Sequence, residues 1–422
     1  MRPGSPPPAK RFTRTGFKGA MKPVLTLKNK PLIVGGALLM AVALAAFIFQ
    51  LAAGHPRRAW QAYLINFLVW SAIAQGGLLF SALMHLVKAR WTGRLSDLAE
   101  AFAAFFPLSF VLFLGLFLGS EHIFPWIDED LHGKEVWLNV PFLFWRDCIG
   151  LLLLYGLGFG YLYHALKPKL VPGDADRGIR GFFTRGRGAF ENAPERWQQR
   201  KTVFGLLYII AFALVLSLIG FDLVMSMDPH WISTLFGAYT FVKAFYIGLG
   251  GLIILAAVMH LNQGEASGLS SSQFHDLGKL FFAFCLVWGD FFYVQLVVIW
   301  YGKIPEESSY VIERVMRMPW QPLAWTVFAA AFIVPFVLLL NKRIKTRPVV
   351  MMALCTLIIA GIWLEHLLLI GPAFAHGAVA AIPLGLSEAL ITLGFMSLMI
   401  LALAYFMDLF PEIAMAQTPE TT

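Results

Sequence analysis

The stretch "TVFGLLYIIAFALVLSLIGFDLVMSMDPHWISTLFGAYTFVKAFYIGLGGLIILAAVMH", residues 202–260, decides the fold class. It contains two apolar runs, 202–226 and 231–260. Each exceeds the roughly 20 residues a helix needs to cross a ~30 Å hydrocarbon core. The turn between them is too short to form a domain, yet it groups Asp222, Asp228 and His230. Two spanning helices joined by a charged hairpin turn is the reading that fits.

The same pattern extends along the chain in both directions. Apolar runs recur at 32–53, 62–87, 98–119, 141–166, 277–301, 320–340, 348–370 and 384–407, which makes ten in all. Hydrophobic residues form 58% of the 422, charged residues only 14%, and mean hydropathy is +0.69. A soluble chain of this size would carry about 25% charged residues. The expectation is an all-α integral membrane protein of about ten transmembrane helices. Residues 1–31 read as a basic, Pro-rich leader and 408–422 as a tail. The leader is too long, and the first apolar run too extended, for a cleaved signal peptide.

Orientation follows from Lys and Arg. The leader holds eight, the 2–3 connector three, the 4–5 connector nine and the 8–9 connector four, against six in all on the opposite side. That asymmetry predicts cytoplasmic termini. The net charge of +8 is thus a topology signal and does not point to nucleic acid, while the basic 4–5 connector would suit anionic lipid headgroups. The 4–5 connector also carries Phe and Trp positions that suggest a short interfacial segment.

Several chemistries find no support. Cys148, Cys285 and Cys355 are isolated, and neither C-x-x-C-H nor a cysteine cluster is present, so covalent haem and iron–sulfur centres are not expected in this chain. Histidines lack the matched pairing of a haem-b bundle, and H-E-x-x-H, P-loop and dinucleotide fingerprints are absent. "GLGFG" at 156–160 reads as a helix-packing face.

An ionisable side chain at mid-bilayer costs about 2.5–3.5 kcal/mol, so each one is a functional candidate. Toward the outer side lie Arg146, Asp147, Asp222, Asp228, His230, Glu365, His366, His376 and Glu388. Lys243 and Asp290 lie near the middle, and His85, His164, His260, His275 and Asp276 lie on the inner side. Together they suggest a discontinuous polar ladder for protons, supplemented by Gln75, Ser217, Tyr246, Tyr293 and Gln295. Plainer readings stand beside this one. Asp228 before Pro229 would cap the sixth span, Arg146 and Asp147 would pair with Glu388 or Asp222 as helix glue, and Lys243 and Asp290 would neutralise each other. Glu365 beside His366 suits proton exchange near neutral pH.

Two motifs carry a family resemblance. "GFDLVMSMDPHWISTLFGAY" (220–239) and "WLNVPFLFWRD" (137–147) resemble the ActF subunits of alternative complex III, within the polysulfide-reductase-like membrane family of NrfD type. The resemblance implies two four-helix bundles plus two peripheral helices in a bacterial inner membrane. It also implies a respiratory complex that oxidises menaquinol or ubiquinol and passes electrons to cytochrome c or a terminal oxidase. Haem c and Fe–S centres would sit on partner subunits beside an ActC-like membrane subunit, and this chain would bind no cofactor. Its role would be structural, with a proton-conducting path. The matched motifs fix Asp222, Asp228, His230 and Arg146, whereas the other candidates rest on depth alone. Two alternatives stay open. One is a quinol site within this chain near Arg146, His122 or Glu121, and the other is a stand-alone secondary transporter.

Overall fold

The computed structural model describes residues 25–131, 133–170, 177–185, 191, 193–374 and 382–414. His376, most of the basic leader, part of the 4–5 connector and the end of the tail lie outside the described residues. Ten helices are long and apolar enough to cross a membrane, and among the described residues there is no strand. The chain is an all-α, multi-pass membrane protein.

The spanning helices are α1 (Lys30–Ala52), α2 (Pro56–Leu86), α3 (Arg94–Ile123), α4 (Val140–Leu166), α5 (Pro194–Leu223), α6 (Phe236–Gln263), α7 (Ser271–Gly302), α8 (Trp320–Leu340), α9 (Pro348–Ile370) and α10 (Leu386–Leu409). Proline opens α1, α2, α4, α5 and α9, where its missing N–H costs nothing. α7 opens on a capping box, Ser270 with Gln273. Several helices begin earlier than their apolar runs. α2 starts six residues sooner, at Pro56, and α5 eight sooner, at Pro194, because polar first turns such as "PERWQQRK" are helical without being apolar.

α2–α5 pack as one four-helix group and α6–α9 as another, joined along the α2–α6 contact. α1 and α10 pair with each other at the periphery, and α10 also leans on α2. The α2–α6 approach is tight because Gly76 and Gly248 bring the two backbones together. A Cβ on Gly76 would lie 2.4 Å from the Ala244 carbonyl oxygen.

The alternation of spans places the acidic connector 120–139, together with 224–235 and the charge-balanced 303–319, on one face and the basic connectors on the other. Both described chain ends lie on the basic-connector face, where Leu27 N donates to Asp408 Oδ2 at 2.7 Å. Within the 4–5 connector, Gly178–Thr184 forms a short helix with Phe182 outward and Phe183 buried.

Two local features differ from expectation. α6 starts at Phe236, not 231, and its N-cap is Leu235. Asp228 therefore does not cap it, and residues 228–235 form a separate turn. In addition, α8 contains a π-helical turn at Ala329–Ile333. The carbonyl of Ala331 within that turn accepts from the Tyr246 hydroxyl at 3.2 Å.

Candidate functional site

A buried charged site lies where α2, α6 and α9 meet. Tyr239 and Lys243 stand four residues apart on α6 and so share one face. Both reach Glu365 on α9. Lys243 Nζ is 3.1 Å from Glu365 Oε1, and the Tyr239 hydroxyl donates to the same oxygen. Lys243 is 2% exposed and Glu365 0%. Glu365 Oε2 accepts no hydrogen bond among the described residues. Lys243 is therefore paired with Glu365, and the alternative in which it neutralises Asp290 does not occur.

His366 lies beside this pair, buried, with Nδ1 2.8 Å from the Ile362 carbonyl oxygen. A carbonyl only accepts, so Nδ1 donates, and a neutral ring then keeps Nε2 as an acceptor. His366 and Lys243 line a cavity of about 30 Å³ together with Ser71, Gln75 and Thr240. That volume holds a water, for which these five side chains are the polar partners in an otherwise apolar lining.

A hydrogen-bonded row starts from the cavity wall. Ser71 and Ser109 hydroxyls are 2.5 Å apart, Ser109 is 2.7 Å from the Tyr155 hydroxyl, and Gln75 Nε2 donates to that hydroxyl at 2.9 Å. The Tyr208 hydroxyl donates to the Gln75 backbone carbonyl at 2.8 Å. All five residues are buried.

A second charged cluster lies nearer the basic connectors. Glu100, 0% exposed, accepts from Ser81 at 3.2 Å and from Lys169 at 2.7 Å. Ser81 also meets the Tyr161 hydroxyl at 3.0 Å, and Lys169 pairs with Asp97 at 2.6 Å. Burial pushes the Lys169 ammonium down, but Glu100 and Asp97 act the other way and hold it above the usual lysine value.

At the acidic-connector face the two sequence motifs meet in space. Asn139 caps α4 by accepting from Phe142 N at 2.9 Å, which sets Arg146 one turn further along. Arg146 grips Asp222 in a fork, Nε to Oδ2 at 2.5 Å and Nη2 to Oδ1 at 2.7 Å. It also donates to the Trp137 carbonyl at 2.8 Å and stacks 4.1 Å from the Trp137 ring centre, while Trp137 Nε1 donates to Asp222 at 3.1 Å. Asp147 is wholly buried beside Asp222, and its oxygens accept no hydrogen bond among the described residues. Of the two partners expected for Arg146, Asp222 is the one found. Glu388 instead takes Arg58 at the start of α2, with Nη2 to Oε2 at 2.8 Å.

The remaining motif residues hold a short helix, Pro305–Val315, against the 228–235 turn. Trp231 stacks on Tyr310 with centroids 3.9 Å apart and planes at 5°, and the Arg314 guanidinium lies 3.4 Å over the Tyr310 ring centre. Arg314 reaches Asp228 at 3.8 Å. Burial pushes the Tyr310 phenol up to about 12, against an opposing pull from Arg314. The polar turn between α5 and α6 is thus a clasp: Asp222 ties α5 to α4, while Asp228 and Trp231 tie the turn to the helix before α8.

The other candidates are dispersed. His230 is exposed, and His260 Nδ1 lies 3.2 Å from Ser267. Asp276 pairs with Lys279 at 2.7 Å on a half-exposed surface. Glu121 is exposed and His122 half-buried on the Ser120–Ile123 turn, away from these clusters. Asp290 is exposed on α7, outside the buried set. Sequence reasoning missed Glu100, the Ser71–Ser109–Tyr155 row and Tyr239. Only Glu100 left a signal, as a lone acid entering the apolar run from 98.

Compared with known proteins, the chain matches no family model and no curated protein.

Proposed function

We propose that this chain is a membrane subunit of a quinol-oxidising electron-transfer complex, without a redox centre of its own, and that its buried polar groups carry protons. The observation that supports the proposal most directly is the Lys243–Glu365–Tyr239 cluster, wholly buried beside a water-sized cavity. Buried ion pairs seldom repay their desolvation as stabilisers, whereas a carboxyl with one oxygen left over, paired with a lysine that lines a water-sized cavity, can gain and lose a proton. The motif resemblance gives the setting, and the Arg146–Asp222 fork, which joins residues of both motifs, supports reading the two together. On this reading the assembly holds an ActC-like membrane subunit, Fe–S and c-type haem subunits and a terminal oxidase, in a bacterial inner membrane. Menaquinol or ubiquinol would be the reductant, and the Lys/Arg asymmetry would place both termini in the cytoplasm.

The route would run from Glu100 and Lys169 near the cytoplasm, through the Gln75–Tyr155–Ser109–Ser71 row and the cavity, to Glu365 and His366. The test uses the C-terminally tagged chain extracted from native membranes in mild detergent. A reduced-minus-oxidised spectrum with c-type haem bands and stoichiometric partners is expected, and a colourless single polypeptide would overturn the assembly. Within the assembly, Glu365→Gln should lower proton release while quinol-driven electron transfer continues. Equal loss of both would overturn the proton role.

A second reading, a quinol site in this chain, is favoured by one feature. A cavity of about 400 Å³ opens at the acidic-connector face between Lys134, Trp137, Phe221, Asp228 and Trp231, which is ligand-sized and mostly apolar. It lies beside Arg146 and Asp222, not at Glu121 and His122. Loss of quinol turnover in Trp231→Ala, with the assembly intact, would select it.

A further inference from the structure

α7 carries a stripe that lipid alone does not suit. Lys279, Ala283, Leu286, Asp290 and Tyr293 are all exposed and Val297 is half-buried, at alternating intervals of four and three residues. That 3.5-residue spacing is the seam of a left-handed helix pair. Tyr293 is 64% exposed and Leu286 40%. Asp290 sits at the middle of the apolar run 277–301, about 17–20 Å from either end at 1.5 Å per residue. An aspartate side chain is far too short to reach a headgroup across that distance, and Asp290 has no hydrogen bond or ion pair among the described residues.

We infer that the α7 stripe is the docking seam for a transmembrane helix of a different polypeptide that presents a Lys or Arg to Asp290 at mid-bilayer depth. Charge complementarity selects this occupant. Two copies of this chain meeting along the seam about a twofold axis would set Asp290 against Asp290, and Lys279 lies three turns away. The inference rests on the proposal that the chain works inside an assembly, though not on the assembly oxidising quinol.

The test places the photo-cross-linker p-benzoylphenylalanine at Leu286 or Tyr293, and at the exposed Leu214 of α5 as a control, in the full chain in native membranes. The expected result from 286 and 293 is one shared product whose cross-linked peptide maps to a transmembrane segment with Lys or Arg within a turn of the cross-link, absent from 214. Asp290→Lys should lower its yield about tenfold or more, because two like charges would then face each other in lipid. The paired exchange, Asp290→Lys with the partner's base changed to Asp, should restore it. Cross-links to lipid only, to a second copy, or to a segment lacking a mid-depth base overturn the inference. The wild-type Asp290 background decides this even where the Lys variant inserts poorly. Haem bands in the purified complex alongside lipid-only cross-links would sink the seam and leave the assembly standing.

Discussion

Removal of the Lys243 ammonium isolates the charge pair at the α2–α6–α9 crossing. At 3.1 Å and an effective dielectric near 20, two unit charges attract by about 5 kcal/mol. Losing one member of a buried pair typically costs about 3–5 kcal/mol, because the other charge is left uncompensated. Tyr239 still donates to Glu365 Oε1, and a hydrogen bond to a charged group offsets about 1.5–3 kcal/mol of that loss. Lys243→Met should therefore destabilise the folded chain by roughly 2 kcal/mol. The double variant Lys243→Met with Glu365→Gln keeps an acceptor for Tyr239 but removes both charges, and should return to within about 1 kcal/mol of wild type. Denaturant unfolding of the detergent-extracted protein, followed by tryptophan fluorescence, measures each corner of the cycle. A single variant that costs less than about 1 kcal/mol, or a double variant no more stable than the single, would refute the pairing argument. On the proposed reading, proton release should be lowered in both variants, so proton release and stability separate in the double one.

Three further outcomes follow from the geometry. Arg146→Lys keeps the charge but loses the fork on Asp222 and the stacking on Trp137; unfolding should show a loss of about 2 kcal/mol with a changed Trp emission. Gly248→Ala would put a Cβ 2.5 Å from the Gly76 carbonyl carbon, so α2 and α6 must separate; a loss of about 1–3 kcal/mol is expected by thermal unfolding, and a neutral result would contradict the tight crossing. Lys169 is held above the usual lysine value in the folded chain, so its contribution is complete below about pH 10.5 and disappears as pH rises through the raised value. The melting difference between wild type and Lys169→Met should thus narrow at alkaline pH, and a constant gap would rule that out.

Hydropathy made the ten spans legible because lipid imposes length and composition on every crossing helix. It does not mark where helices extend into water, so Pro56 and Pro194 lie outside the apolar runs of the helices they open. The polar residues were legible as a set, yet their partners were not. Depth ranked Lys243 with Asp290, but rotation about α7 turns Asp290 outward, while α6 aims Lys243 at Glu365. Depth is a one-dimensional coordinate, and pairing depends on azimuth, which α6 and α7 sequences with polar residues on several faces do not declare. Uncharged groups were harder still. Ser71, Ser109 and Tyr155 come from three helices and become a row only once those helices pack.

The arrangement of buried groups constrains any proton route more than their identity does. Ser81 and Gln75 lie six residues apart on α2, about 9 Å along the axis, which is beyond hydrogen-bond reach. Between them Leu78 is fully buried, and Phe106 stacks on Tyr155 at 4.7 Å. On the proposed reading, water must enter here before a proton passes from the Glu100 cluster to the cavity. A barrier of this kind is what prevents a buried carboxyl from short-circuiting a membrane potential. The Lys243–Glu365 pair then acquires a role beyond relay. A proton on Glu365 cancels the attraction between α6 and α9 and leaves Lys243 as an unpaired buried charge. The crossing would therefore favour one packing with Glu365 ionised and another with it neutral. Coupling would reside in that difference, with the tight Gly76–Gly248 contact as the fulcrum against which α6 shifts.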